Sequence, residues 1–184
     1  MFLIKVLINK QSIGRMSFRG RDIVIGAVFS GLGVVFPIMF HLVGLGSVFL
    51  PMFLPVVTAG FLVSFPVAFS IGLITPLFSS VTTGMPPIFP PVAPIMCIEL
   101  SILAGCASLF YRNLRWNVWI SLICAIVFSR TVYLVIILLI VPLMKLPAGV
   151  LTIAAAISGN PGIILMIAVV PPTVKMVEKK LHSF

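Results

Sequence analysis

From Ile23 to Ile98 the chain carries not one Asp, Glu, Lys or Arg, and beyond that stretch apolar runs resume after each isolated charge. A water-soluble domain cannot be made from such a stretch, because a surface facing water needs polar groups and none of the charged ones is there. A bilayer removes that requirement. Over all 184 residues 61% are hydrophobic and 8% charged, the balance of an integral membrane protein. A helix needs about 20 residues at ~1.5 Å each to cross the hydrocarbon, so the length allows roughly six spans with short connections and no hidden soluble domain. The fold class is therefore all-α, an integral membrane bundle of six transmembrane helices.

The segment 1–21 holds Lys5, Lys10, Arg15, Arg19 and Arg21 and lacks both an apolar core of signal-peptide length and a small-residue cleavage site. It reads as a retained basic segment near the membrane surface. Helix 1 is expected from about Asp22 to Phe40, with an acidic residue at its positive dipole end and a kink at Pro37. Gly26 with Ser30, and Ala27 with Gly31, place small side chains four apart. That spacing makes a groove for close approach of another helix, from this bundle or from a partner. Residues 41–47 form the first loop. Helix 2 takes Pro51 and Pro55 in its first turns and ends near Val63, and helix 3 restarts at Pro66 and reaches Ser80. Helix 4 is expected over about Val92 to Phe110, and helix 5 over about Asn117 to Val141. Helix 6 is expected over about Ala148 to Val170, interrupted at Gly159-Asn160-Pro161-Gly162. Pro171 and Pro172 then precede a basic tail with Lys175, Lys179 and Lys180, which divides the chain into 1–21, the membrane domain 22–172, and 173–184.

With six spans both termini share a side, and that side collects ten of the twelve basic residues. By the positive-inside rule it is the cytoplasm, in a multi-pass protein of the plasma membrane. The +9 net charge thus follows topology and gives no sign of a nucleic-acid partner; the bilayer itself is the partner. Loops 41–47, 82–91 and 143–147 face outward.

On the outward side lies an unusual elbow. Thr75, Ser79, Ser80, Thr82 and Thr83 cluster before a loop, Gly84 to Pro91, that four prolines make stiff and non-helical. Just past it Glu99 enters the apolar phase, and Arg130 lies in the middle of helix 5. A buried Arg costs about 2.5–3.5 kcal/mol on the translocon scale, so such residues face a cavity or one another. Counting inward at ~1.5 Å per residue puts Glu99 roughly 10 Å deep and Arg130 and Asn160 nearer 15–18 Å. A Glu99–Arg130 pair is the preferred arrangement, since paired ions cost far less than isolated ones. Glu99, Arg130 and Asn160 would then line one outward-opening cavity, with Thr83, Gly84, Met85, His41 and Ser47 towards its mouth. The same pair could equally serve only to join helices 4 and 5.

Enzymatic chemistry finds little support. The chain has three acidic residues, two histidines, no HExxH, GxSxG or clustered-carboxylate pattern, and no phosphate loop, so no catalytic residue or metal ligand stands out. Cys97, Cys106 and Cys124 lack metal-ligand spacing and read as buried free thiols. A small membrane enzyme acting on a lipid or prenyl group, with His41 or Glu99 as base, remains the alternative, as does a purely structural membrane subunit.

The runs FHLVGLGSVFLPMFLPVVTAGFL, LITPLFSSVTTGMPPIFPPVAPIMCIEL, SRTVY and SGNPGII resemble the substrate-binding S components of energy-coupling factor (ECF) transporters. The most specific parts are LPM-x-x-PV at Leu50 to Val56, TGMPP at Thr83 to Pro87, and Glu99 after the proline loop. Phe53 departs from the pattern, which often has histidine there. The resemblance implies a six-helix bundle that captures a water-soluble vitamin from outside and docks on a membrane scaffold subunit carrying two ATPases. It implies docking through small residues of helix 1, which Ala27 and Gly31 match, with Gly26 and Ser30 as neighbours. The chain itself would need no cofactor, ATP being used by the partner subunits. If Arg130 is free to meet the ligand, a carboxylate such as pantothenate or nicotinate fits; if Glu99 neutralises it, pyridoxine or a hydroxymethylpyrimidine fits better.

Overall fold

The computed structural model describes residues 20–42, 51–88, 91–143 and 160–181. Six helices occupy them: α1 Gly20–Leu42, α2 Phe53–Leu62, α3 Phe65–Thr83, α4 Val92–Ser108, α5 Val118–Leu143 and α6 Asn160–Leu181. One π-helical turn, Leu109–Asn113, continues α4. Four stretches have the length and apolar composition to cross a membrane: Gly20–Phe40, Phe65–Thr83, Val92–Asn113 and Val118–Leu139.

The short helix α2 is the centre of the bundle. It is apolar on every side, and all 10 of its residues are buried, as expected of a helix with no face left for solvent or lipid. Pro55 sits in its first turn, where a missing N–H costs nothing, and Thr58 returns its hydroxyl to the Leu54 carbonyl at 2.7 Å. Phe53, Val56, Val57, Phe61 and Val63 pack with Leu100, Leu103, Leu122, Met166 and Val170 into one core drawn from α2, α4, α5 and α6. Two glycines let backbones meet: a Cβ on Gly60 would lie 2.7 Å from the Ala104 carbonyl oxygen, and one on Gly72 would lie 2.5 Å from Leu100 and Ser101 backbone atoms.

One end of the bundle is tied by polar groups. Asp22, buried in the first turn of α1, accepts the Ser64 N–H at 2.8 Å in the α2–α3 elbow and faces Arg112 at 3.5 Å. Arg112 also donates to the Leu62 carbonyl at 3.0 Å, Ser108 donates to the Val63 carbonyl at 2.8 Å, and Tyr111 donates to Glu178 of α6 at 2.8 Å. The start of α1, the α2–α3 elbow, the end of α4 and the end of α6 therefore meet at this end. Phe110 stacks on the exposed Trp116 nearby, with ring centroids 5.2 Å apart.

Several sequence expectations are corrected here. His41, expected in a loop, lies in the last turn of α1, which also runs through Pro37. Thr82 and Thr83, expected in the next loop, close α3. The helix expected to stop at Val170 continues through Pro171 and Pro172 to Leu181, so residues 173–181 of the basic tail are helical. Packing outweighs the two missing donors: Val170 and Val174 are buried on either side of the prolines, and Glu178 is anchored to Tyr111. The part of that helix expected over 148–159 lies outside the described residues.

Candidate functional site

The deepest charges come from α4 and α5. Glu99 stands seven residues into α4, ~10 Å from its first residue by the helical rise, and is 2% exposed. Arg130 of α5 approaches it with Nη1 3.0 Å from Oε1, and its side chain is 17% exposed. Both charges thus sit within the apolar phase, each compensated by the other.

The pair is close without being fully hydrogen-bonded. Glu99 Oε1 and Arg130 Nη2 are buried and have no hydrogen-bond partner; the other described groups in that condition are the uncharged hydroxyls of Ser64 and Ser121. Aromatic rings complete the surroundings. The Arg130 guanidinium carbon lies 5.6 Å from the Phe53 ring centroid and 5.7 Å from that of Tyr133, both within cation–π range. Tyr133 belongs to a small satellite core with Ile95, Ile137, Val92 and Ile136, which closes the α4–α5 contact on the side of the proline loop. Sequence reading singled out Phe53 only as a departure and passed over Tyr133, since an aromatic residue in an apolar helix carries no signal of its own.

The proline loop is built by α3. Ser79 and Ser80, both buried, donate to the carbonyls of Met85 at 2.7 Å and Pro86 at 2.6 Å. Thr83 spends its hydroxyl on Ser79 and Met85, and the Ala93 N–H donates to Pro87 at 3.0 Å, fastening the loop to the start of α4. Gly84 caps α3 with φ +72°, a left-handed conformation that strains any residue with a Cβ. Thr83, Gly84 and Met85 are exposed on this rim, and among the described residues no hydrogen bond or ion pair joins them to Glu99 or Arg130. Ser47 and the side chains of His41 and Asn160 lie outside what the structure describes. No group of three His, Cys, Asp or Glu side chains gathers as a metal site among the described residues.

A second feature lies on the outside of the bundle. A groove of about 770 Å³ runs between α1 and α3, lined by Ala27, Gly31, Val34, Ile71, Ile74 and Phe78 among others. The small residues of α1 divide over it. Gly26 is buried against Val67 and Ile71, and Ser30 accepts a hydrogen bond from Thr75 at 3.0 Å, so these two hold α1 to α3. Ala27 and Gly31 are exposed, and a Cβ at Gly31 would meet nothing within 4 Å.

Residues 21–174 match the family model described as the ECF transporter substrate-specific component. The chain belongs to that family. No curated protein and no solved structure matches the chain significantly. As a member of a family of transporter components it is a multi-pass membrane transport subunit, and the family implies a small-molecule substrate and association with the subunits of the ECF module. The match spans the buried Glu99–Arg130 pair, the proline loop and the α1–α3 groove.

Proposed function

We propose that this ECF component captures a water-soluble vitamin or related micronutrient from outside the plasma membrane and delivers it by docking on a membrane scaffold subunit with two ATPases. The observation that carries this reading is the ion pair Glu99–Arg130, two charges set together inside an apolar bundle with Arg130 Nη2 left without a hydrogen-bond partner. A pair whose only task was to join two helices would have no reason to leave that donor unpartnered, since an unmade buried bond costs about 1–3 kcal/mol. Thr83, Gly84 and Met85 would form the rim over which the ligand enters, with His41, Ser47 and Asn160 as further contacts. The bundle would have six spans, its polar-tied end with Arg112 and Glu178 towards the cytoplasm together with both termini. This chain would use no cofactor, ATP being consumed by the partner subunits.

Docking would use the α1–α3 groove, with Ala27 and Gly31 as the open floor. Ala27→Trp combined with Gly31→Trp is expected to leave the thermal midpoint and ligand affinity of the isolated chain within error. The same variant should abolish co-purification with the scaffold and ATPase subunits and reduce uptake at least tenfold. Unchanged uptake by the folded variant would exclude the groove as the docking face.

A further inference from the structure

We propose that the end of the bundle opposite the proline loop binds the headgroups of anionic phospholipids, through Arg21, Arg115, Lys175 and Lys179 with Trp116 and Trp119 set among them. Position puts these residues at headgroup level. Arg21 stands at the start of one apolar span, Gly20–Phe40, and Arg115 and Trp116 lie in the short connection between two others, Val92–Asn113 and Val118–Leu139. Trp119 is in the first turn of the last of these. The hydrogen bond from Tyr111 to Glu178 brings the end of α6 to the same level, so Lys175 and Lys179, each within one turn of Glu178, join the group. All four cations are exposed. Arg112 is balanced by Asp22, so the four face the single carboxylate of Glu178, and a positive excess remains for an outside partner.

The connection that carries Arg115 is fixed rather than slack. The Leu114 N–H donates to the Leu109 carbonyl at 3.0 Å and the Trp116 N–H to that of Phe110 at 3.1 Å, while Asn117 Oδ1 accepts the Trp119 N–H at 3.1 Å. The Trp116 ring stacks on Phe110. Arg115 takes φ +55°, a left-handed conformation uncommon for a residue with a Cβ. The result is a cation presented together with two indole rings that remain 38% and 41% exposed. Indoles favour the boundary where acyl chains meet polar headgroups, and guanidinium and ammonium groups favour the phosphates there. An acidic protein surface would answer the charge and leave the rings to be covered; a phospholipid answers both, its phosphate meeting the cations and its glycerol region the rings. Cations kept only to set orientation would stay solvated, indifferent to which lipid surrounds them.

Both tryptophans of the chain belong to this patch, so their fluorescence reports on it alone. The full chain is reconstituted in bilayers mixing dioleoylphosphatidylcholine and dioleoylphosphatidylglycerol, one of the two brominated in its acyl chains, and the quenching gives the relative affinity for the two lipids. The natural chain is expected to prefer phosphatidylglycerol by about tenfold or more, each basic residue near an anionic surface being worth about fivefold. Raising the salt from about 0.05 to about 0.5 M should cut that preference at least threefold, roughly as screening shortens the reach of the cations. The variant Arg115→Gln/Lys175→Gln/Lys179→Gln, altered only at exposed side chains, should keep its thermal midpoint in phosphatidylcholine and bring the ratio to about one. A ratio near one in the natural chain, or a preference kept by the folded triple variant, overturns the proposal. So does reversal of the quenching by millimolar sn-glycerol 3-phosphate, which would make the patch a site for free phosphate rather than for lipid.

Discussion

Arg130→Met should destabilise the folded chain by about 3–5 kcal/mol, because it strands the carboxylate of Glu99 in a site 2% exposed with no compensating cation. Methionine keeps much of the aliphatic bulk against Phe53 and Tyr133, so the loss measures the charge more than the packing. Adding Glu99→Leu to the same chain should restore stability to the starting value or above it, since replacing a whole buried pair by apolar residues is often neutral or favourable. The two variants together separate cost from purpose. If the double variant is as stable as the natural chain yet binds no ligand, the pair is kept for recognition rather than for folding. Thermal unfolding in detergent supplies the first readout and calorimetry the second. An Arg130→Met chain as stable as the parent would mean that Glu99 is not buried as described.

The second large effect is expected at Gly72. A Cβ there would lie 2.5 Å from the carbonyl carbon and oxygen of Leu100 and from Cα of Ser101. All three are backbone atoms, so no side chain can rotate away and α3 must move off α4. Overpacking usually costs 1–3 kcal/mol, and with backbone on the far side Gly72→Ala should fall near ~3 kcal/mol. Gly31→Ala, with nothing within 4 Å, should change stability by no more than about 0.5 kcal/mol. The two glycines lie on packed neighbours in one bundle and differ only in what faces them. Equal midpoints for the two alanine variants would exclude the close α3–α4 contact.

What could be read in advance followed from scarcity. Charges are so few in this chain that Glu99 and Arg130 nearly had to meet, and the distance of 3.0 Å brings them together. The prolines after Gly84 likewise specified a non-helical loop, because their missing donors leave few alternatives. Roles that depend on helix rotation were not legible. Gly26 and Gly31 are the same residue type in the same helix, yet the first is pressed on Val67 and the second lies open, since five residues carry a side chain to another face. Asp22 was legible only as a charge complementing its helix; that it also accepts the Ser64 N–H and faces Arg112 depends on partners far along the chain. Pro171 and Pro172 misled for the converse reason. A local signal to stop was overruled by burial of Val170 and Val174 in the core, which no local pattern reports.

The claim at the centre is that the buried pair recognises a small solute. Its most direct test is the thermal midpoint of the purified chain against a panel of water-soluble vitamins, measured in parallel on the Glu99→Leu/Arg130→Met double variant. One compound should raise the midpoint of the natural chain, its binding adding about 2.7 kcal/mol at 100 times its Kd, and should leave the double variant unmoved. A panel without any shift, or a shift of the same size in the double variant, would contradict it.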